Sequence, residues 1–123
     1  MMKYHKRIRS FYYAFKGLAD VVRSQANMRI HLLAAAAALF AAWFFNISPG
    51  EWMILILVIG MVLSAEVMNT AIEYLTDLIS PAQHPLAGKA KDAAAAAVLL
   101  CALTAVIVGS IIFLPRIVRF LAH

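Results

Sequence analysis

Charge is what this chain has least of. Only 14% of its 123 residues are Asp, Glu, Lys or Arg, while 64% are hydrophobic and the mean hydropathy is +0.84. A soluble domain this short has too little interior to hide so much apolar surface, so lipid is the expected solvent. The same composition argues against nucleic acid as a partner, although the net charge is +5. A single cysteine, Cys101, excludes an intrachain disulfide. There is no GxxxxGK[ST] loop, GxGxxG or HExxH motif, and the length leaves no room for a soluble kinase architecture. His31 and His84 lack partners at zinc-ligand spacing and read as interfacial residues. A cleaved leader is not expected, because the first apolar run starts near residue 28 and no cleavage site follows it.

What the chain has instead is three long apolar stretches, at 28–45, at 52–65 with a mixed continuation to 79, and at 93–114. About 20 residues of helix cross a hydrocarbon core, and strands cross only in closed barrels. The predicted fold is therefore all-α, a single integral membrane domain with spanning helices over 28–46, 51–79 and 89–115. Ser48 and Pro49 are placed to open the second span, and Trp43 and Trp52 flank that turn as an aromatic belt does. Pro81, Pro85 and Gly88 mark the other connection. Nine basic residues lie at the amino-terminal side and in the 80–91 connection, against Arg116 and Arg119 elsewhere. The positive-inside rule then puts the amino terminus in the cytoplasm and the carboxyl terminus outside.

Residues 4–24 form a separate element. Ile8, Phe11, Phe15, Leu18 and Val22 recur at steps of three and four, opposite Lys6, Arg9, Tyr13, Lys16, Asp20 and Arg23. That pattern suits an amphipathic helix in the cytoplasmic interface or against partner helices. The alanine runs 34–38 and 93–97 read as close helix-packing faces.

The second span carries Glu66, Asn69, Glu73 and Asp77, three, four and four residues apart, on one narrow helix face. Carboxylates inside a membrane are costly and by default mark function. With Trp52 at the outer interface, Glu66 lies about 21 Å below it and Glu73 about 31 Å, at 1.5 Å per residue. A core about 30 Å thick then leaves Glu73 and Asp77 at the cytoplasmic boundary and Glu66 inside. A water-soluble substrate meets the former and a lipid hydroxyl the latter. Lys91 and Asp92 are expected to open the third span at the same level, where a lysine and a helix amino terminus favour phosphate. Asp92 can equally serve as the favourable negative charge of that first turn. The competing reading is structural, with Arg29 and Lys91 neutralising the face from Glu66 to Asp77. A proton- or ion-conducting bundle is a third, opposed by the absence of polar residues over 53–63.

The segments Ala65-Glu-Val-Met-Asn-Thr-Ala-Ile-Glu-Tyr-Leu-Thr-Asp77, His84-Pro-Leu-Ala-Gly-Lys-Ala-Lys-Asp92 and Asn27-Met-Arg-Ile-His31 together resemble the prokaryotic diacylglycerol kinase family, including its undecaprenol kinase branch. The resemblance runs from about 11 to 114 and is specific. It implies a homotrimer of three-span protomers in the bacterial cytoplasmic membrane, with sites shared between neighbours. It also implies transfer of the γ-phosphate of ATP to a membrane lipid hydroxyl with Mg²⁺. By position, Glu66 corresponds to the general base and Glu73 to a metal-binding carboxylate holding the nucleotide phosphates. Asn69 and Asp77 share that polar face, Lys91 corresponds to a phosphate-contacting lysine, and Asp92 to a nucleotide-side carboxylate. Tyr13, Gly17, His84 and Gly88 match positions lining the nucleotide pocket. One position departs from the family: Gln25 stands where a second metal-binding glutamate is expected. Glutamine brings a carbonyl oxygen but no charge, leaving three alternatives: weakened activity or a binding role without catalysis, compensation by a residue such as Asp20, or a chain altered at this site.

Overall fold

The computed structural model describes residues 2–123, which form four helices: α1 (Met2–Ser24), α2 (Ala26–Phe44), α3 (Pro49–Ile79) and α4 (Pro85–Ala122). By length and composition α2, α3 and α4 can each cross a membrane. Most of their apolar side chains are uncovered in the single chain, as lipid-facing or partner-facing surfaces are.

Each helix boundary has a local cause. A single extended residue, Gln25 (φ −112°, ψ 112°), separates α1 from α2. Arg29 reaches back to donate to the carbonyls of Val22 (2.9 Å) and Arg23 (2.8 Å), satisfying the open end of α1. It is therefore not spent on the α3 carboxylates, and that part of the competing structural reading does not hold.

At the far end of α2, Asn46 takes a left-handed conformation (φ 52°). Ile47 N–H then donates to Ala42 O (3.2 Å) and Asn46 N–H to Trp43 O (3.2 Å), the Schellman closure. Ile47 and Ala42 are both buried in the cluster that also holds Leu55 and Ile112. Ser48 starts α3 with a reciprocal capping box: its hydroxyl accepts from Glu51 N–H (3.2 Å), and Glu51 Oε1 accepts from Ser48 N–H (3.1 Å).

α3 and α4 make the closest helix pair, with α2 against α3, and an ion pair closes each end of the α3–α4 hairpin. Glu51 takes a bidentate contact from Arg116, 2.7 Å at each oxygen. Asp77 pairs with Lys91. Glu51 and Asp77 are 26 positions apart on one helix, about 39 Å at 1.5 Å per residue. That separation matches a bilayer measured to its headgroup regions.

α4 opens at Pro85, earlier than residue 89, and continues past Pro115 to Ala122. His84 caps it, its Nδ1 accepting from Leu86 N–H at 3.1 Å, so Pro85 and Gly88 lie inside the helix instead of interrupting it. Lys91 and Asp92 consequently lie beyond the first turn, where the pull of a helix amino terminus on anions has faded. Pro115 removes one backbone donor, yet the helix persists while Arg116 also donates to Ile112 O (2.7 Å) and Arg119 to Pro115 O (3.2 Å).

Two consequences are testable by thermal unfolding in detergent. Asn46→Val should destabilise by about 1–2 kcal/mol, the cost of a left-handed conformation for an ordinary side chain, while Asn46→Gly should be neutral or stabilising. Arg116→Glu should lower the transition temperature, and adding Glu51→Arg to it should recover part of the loss.

Candidate active site

The polar face of α3 is graded in burial. Glu66 is 1% exposed and Asn69 8%, Glu73 is half-buried, and Asp77 is exposed. Thr70, fully buried, turns its hydroxyl onto the Glu66 carbonyl (2.9 Å) and so hides its own polarity in the helix. Asn69 Nδ2 donates to Glu73 Oε1 (3.1 Å), fixing the half-buried carboxylate from one turn above. Two buried oxygens on this face, Glu66 Oε2 and Asn69 Oδ1, lack hydrogen-bond partners. Buried polar atoms are seldom left so, and both oxygens are open to a further donor.

The basic group nearest Glu66 is one that spacing alone did not single out. His31 of α2 brings Nε2 to 3.6 Å from Glu66 Oε2. His31 also heads an apolar groove of about 440 Å³ between α2, α3 and α4, lined among others by Ala34, Ala38, Val62, Ala105 and Gly109.

At the water-facing end, α1 is tied to α3 by Tyr74, whose hydroxyl donates to Asp20 Oδ2 (2.8 Å) and lies 3.2 Å from Ser24 Oγ. Gln25 is half-buried beside this link, its Nε2 3.5 Å from Ser24 Oγ. Asp20, considered above as a compensating metal ligand, thus has one oxygen engaged by a tyrosine. Sequence spacing did not mark Tyr74 either; the available signal was a tyrosine one position after Glu73 in an otherwise apolar span.

The structure therefore brings Glu66 to His31, Asn69 to Glu73, and Asp77 to Lys91. Tyr13 and Gly17 lie exposed on α1, Gly88 and Asp92 lie exposed on α4, and His84 is occupied as a cap. No hydrogen bond among the described residues joins these five to the α3 face. Among the described residues no three His, Cys, Asp or Glu side chains converge to hold a metal ion.

A membrane-embedded bundle with one buried carboxylate and a carboxylate–lysine edge at its water boundary is built for chemistry at the interface between lipid and water. Comparison with known proteins agrees. The prokaryotic diacylglycerol kinase family model matches residues 12–113, and the chain belongs to that family. It is 44% identical over 109 residues to undecaprenol kinase of Bacillus subtilis, covering 89% of each chain. It is 38% identical to diacylglycerol kinase of Synechocystis, over 91% of this chain and 65% of that one. Against diacylglycerol kinase of Escherichia coli K12 the identity is 33%, over 81% of this chain and 82% of the relative.

Tyr74→Phe should loosen α1 by about 0.5–1.5 kcal/mol, the net worth of an ordinary hydrogen bond. Hydrogen exchange should show it as faster exchange confined to the carboxyl-terminal half of α1.

Proposed function

We propose that this chain, a lipid kinase by its family, transfers the γ-phosphate of ATP to the hydroxyl of undecaprenol at the cytoplasmic boundary of a bacterial membrane. The observation that carries the assignment is the burial gradient along one face of α3, from Glu66 to Asp77. A lipid hydroxyl reaches the buried end and a nucleotide the exposed end. Glu66 and Glu73 are seven positions apart, about 10 Å along the axis, so donor and acceptor are held end to end. The identity to an undecaprenol kinase, higher than to the diacylglycerol kinases named above, favours undecaprenol over diacylglycerol. The basic excess around α1 and the 80–91 connection supports a cytoplasmic amino terminus and an external carboxyl terminus.

In this scheme Glu66 Oε2, free of other partners, accepts the proton of the lipid hydroxyl. The lipid oxygen bonds to the γ-phosphorus as the bond to the departing ADP oxygen breaks. Phosphoryl transfer asks a protein mainly for positioning and charge. Lys91 supplies a cation at the phosphate end by exchanging part of its contact with Asp77, and Asp92 serves the nucleotide side. Glu73, the unpaired Asn69 Oδ1 and Gln25 offer the oxygen donors that Mg²⁺ prefers, and that ion commonly takes one or two carboxylates with substrate phosphates. Bound there, it supplies neutralisation of phosphate charge. Tyr13, Gly17, His84 and Gly88 complete the nucleotide pocket across a homotrimer, whose assembly covers apolar surface that the single chain leaves open.

The test is phosphate transfer from labelled ATP in mixed micelles, with undecaprenol and diacylglycerol offered separately. Magnesium-dependent product should form on undecaprenol and fall by about 10²–10⁴-fold in Glu66→Gln, the scale of a positioned general base. Absence of product on both lipids contradicts the kinase assignment, and product on diacylglycerol alone contradicts the choice of undecaprenol. Gln25→Glu should tighten magnesium-dependent nucleotide binding and raise kcat/KM, because it adds the missing charge.

A further inference from the structure

A buried general base must dispose of its proton after every turnover. Glu66 is 1% exposed and its Oε2 has no hydrogen-bond partner. The other charged groups around the polar ends of α1, α3 and α4 have partners of their own in the resting chain. Arg29 is turned to the α1 carbonyls, Lys91 to Asp77, Glu73 to Asn69, and Asp20 to Tyr74. His31 is the basic side chain that faces Glu66, with Nε2 3.6 Å from Oε2 and a side chain 19% exposed. At 3.6 Å the two atoms stand just beyond direct hydrogen-bond distance, so a modest rotamer adjustment joins them once the carboxyl is protonated. His31 lies five positions after the first residue of α2, about 8 Å along the axis from the polar α1–α2 junction.

Resting on the assignment of Glu66 as the lipid-side base, we infer that His31 is its positioning residue and carries the abstracted proton out to water. The steps balance. The lipid O–H bond breaks, its proton passes to Glu66 Oε2, and its oxygen forms the new bond to phosphorus while ADP leaves with the electron pair of the broken P–O bond. The lone pair on Nε2 of neutral His31 then takes the proton from the Glu66 carboxyl, restoring the carboxylate. The imidazolium, its side chain 19% exposed, then gives one proton to solvent and returns to neutral. Imidazole suits this task because its two nitrogens can exchange a proton near neutral pH. A purely structural contact would need only a donor.

The experiment uses the full-length protein in mixed micelles with undecaprenol and MgATP, comparing the unaltered chain, His31→Ala, His31→Gln and Glu66→Gln. Both His31 variants should lose kcat by about 10–100-fold, the scale on which partners of a working group act, with the KM for ATP unchanged. Added imidazole should restore turnover to His31→Ala and do nothing for Glu66→Gln. Full activity in His31→Gln overturns the inference, as does a folded His31→Ala that imidazole does not rescue. Should His31→Ala fail to fold, the rate of His31→Gln decides, since glutamine can orient Glu66 but cannot carry a proton. An inactive unaltered chain would instead defeat the kinase assignment, so the two failures are distinguishable.

Discussion

Everything in this molecule is arranged around the cost of holding the Glu66 carboxylate inside an apolar bundle. A buried carboxyl is costly wherever it lacks hydrogen-bond partners, and here Glu66 Oε2 has none, with His31 Nε2 standing 3.6 Å away. α3 meets the problem by ordering its polar residues along one face. The innermost are covered by α2 and by the helix itself, and the outermost reach water. The gradient is a consequence of helix geometry, since steps of three and four keep the side chains aligned while carrying them toward the boundary. It sets a buried carboxyl and an exposed one at opposite ends of a single helix face.

The scaffold that holds this face is economical. Glu51 serves twice, closing the capping box at Ser48 and pairing with Arg116 across the hairpin. Asp77 and Lys91 close the opposite end. Near the Glu51–Arg116 end a buried cluster of Ala42, Ile47, Leu55 and Ile112 packs against Phe45, Trp52 and Phe113. Tyr74 and Arg29 hold α1 at the α2–α3 edge through hydrogen bonds, beside the buried Val21. The apolar stripe of α1, including Ile8, Phe11 and Phe15, remains exposed in the single chain, as either an interfacial helix or one that packs on partner helices requires.

Much of this was legible in the residues. The three spans, the amphipathic α1, the Ser48–Pro49 start and the α3 face all follow from periodicity and turn chemistry, which act locally. What was not legible depends on tertiary placement. The competing structural reading had Arg29 neutralising carboxylates, but the break at Gln25 leaves open carbonyls that Arg29 takes instead. Pro85 and Gly88 read as part of the connection before a span of 89–115, yet a histidine cap moves the start of α4 to Pro85 and the helix runs on to Ala122. His31 carries no spacing signature because its partner is on another helix, 35 positions away in the chain. Only the packing of α2 on α3 brings it to Glu66.

The division of labour along α3 is tested most directly by measuring the affinity of a non-hydrolysable ATP analogue, with Mg²⁺, for the unaltered chain, Glu66→Gln and Glu73→Gln. If Glu66 works on the lipid and Glu73 on the nucleotide, Glu66→Gln binds the analogue as the unaltered chain does, and Glu73→Gln binds it markedly less. Loss of binding in Glu66→Gln, or full binding in Glu73→Gln, would contradict the account.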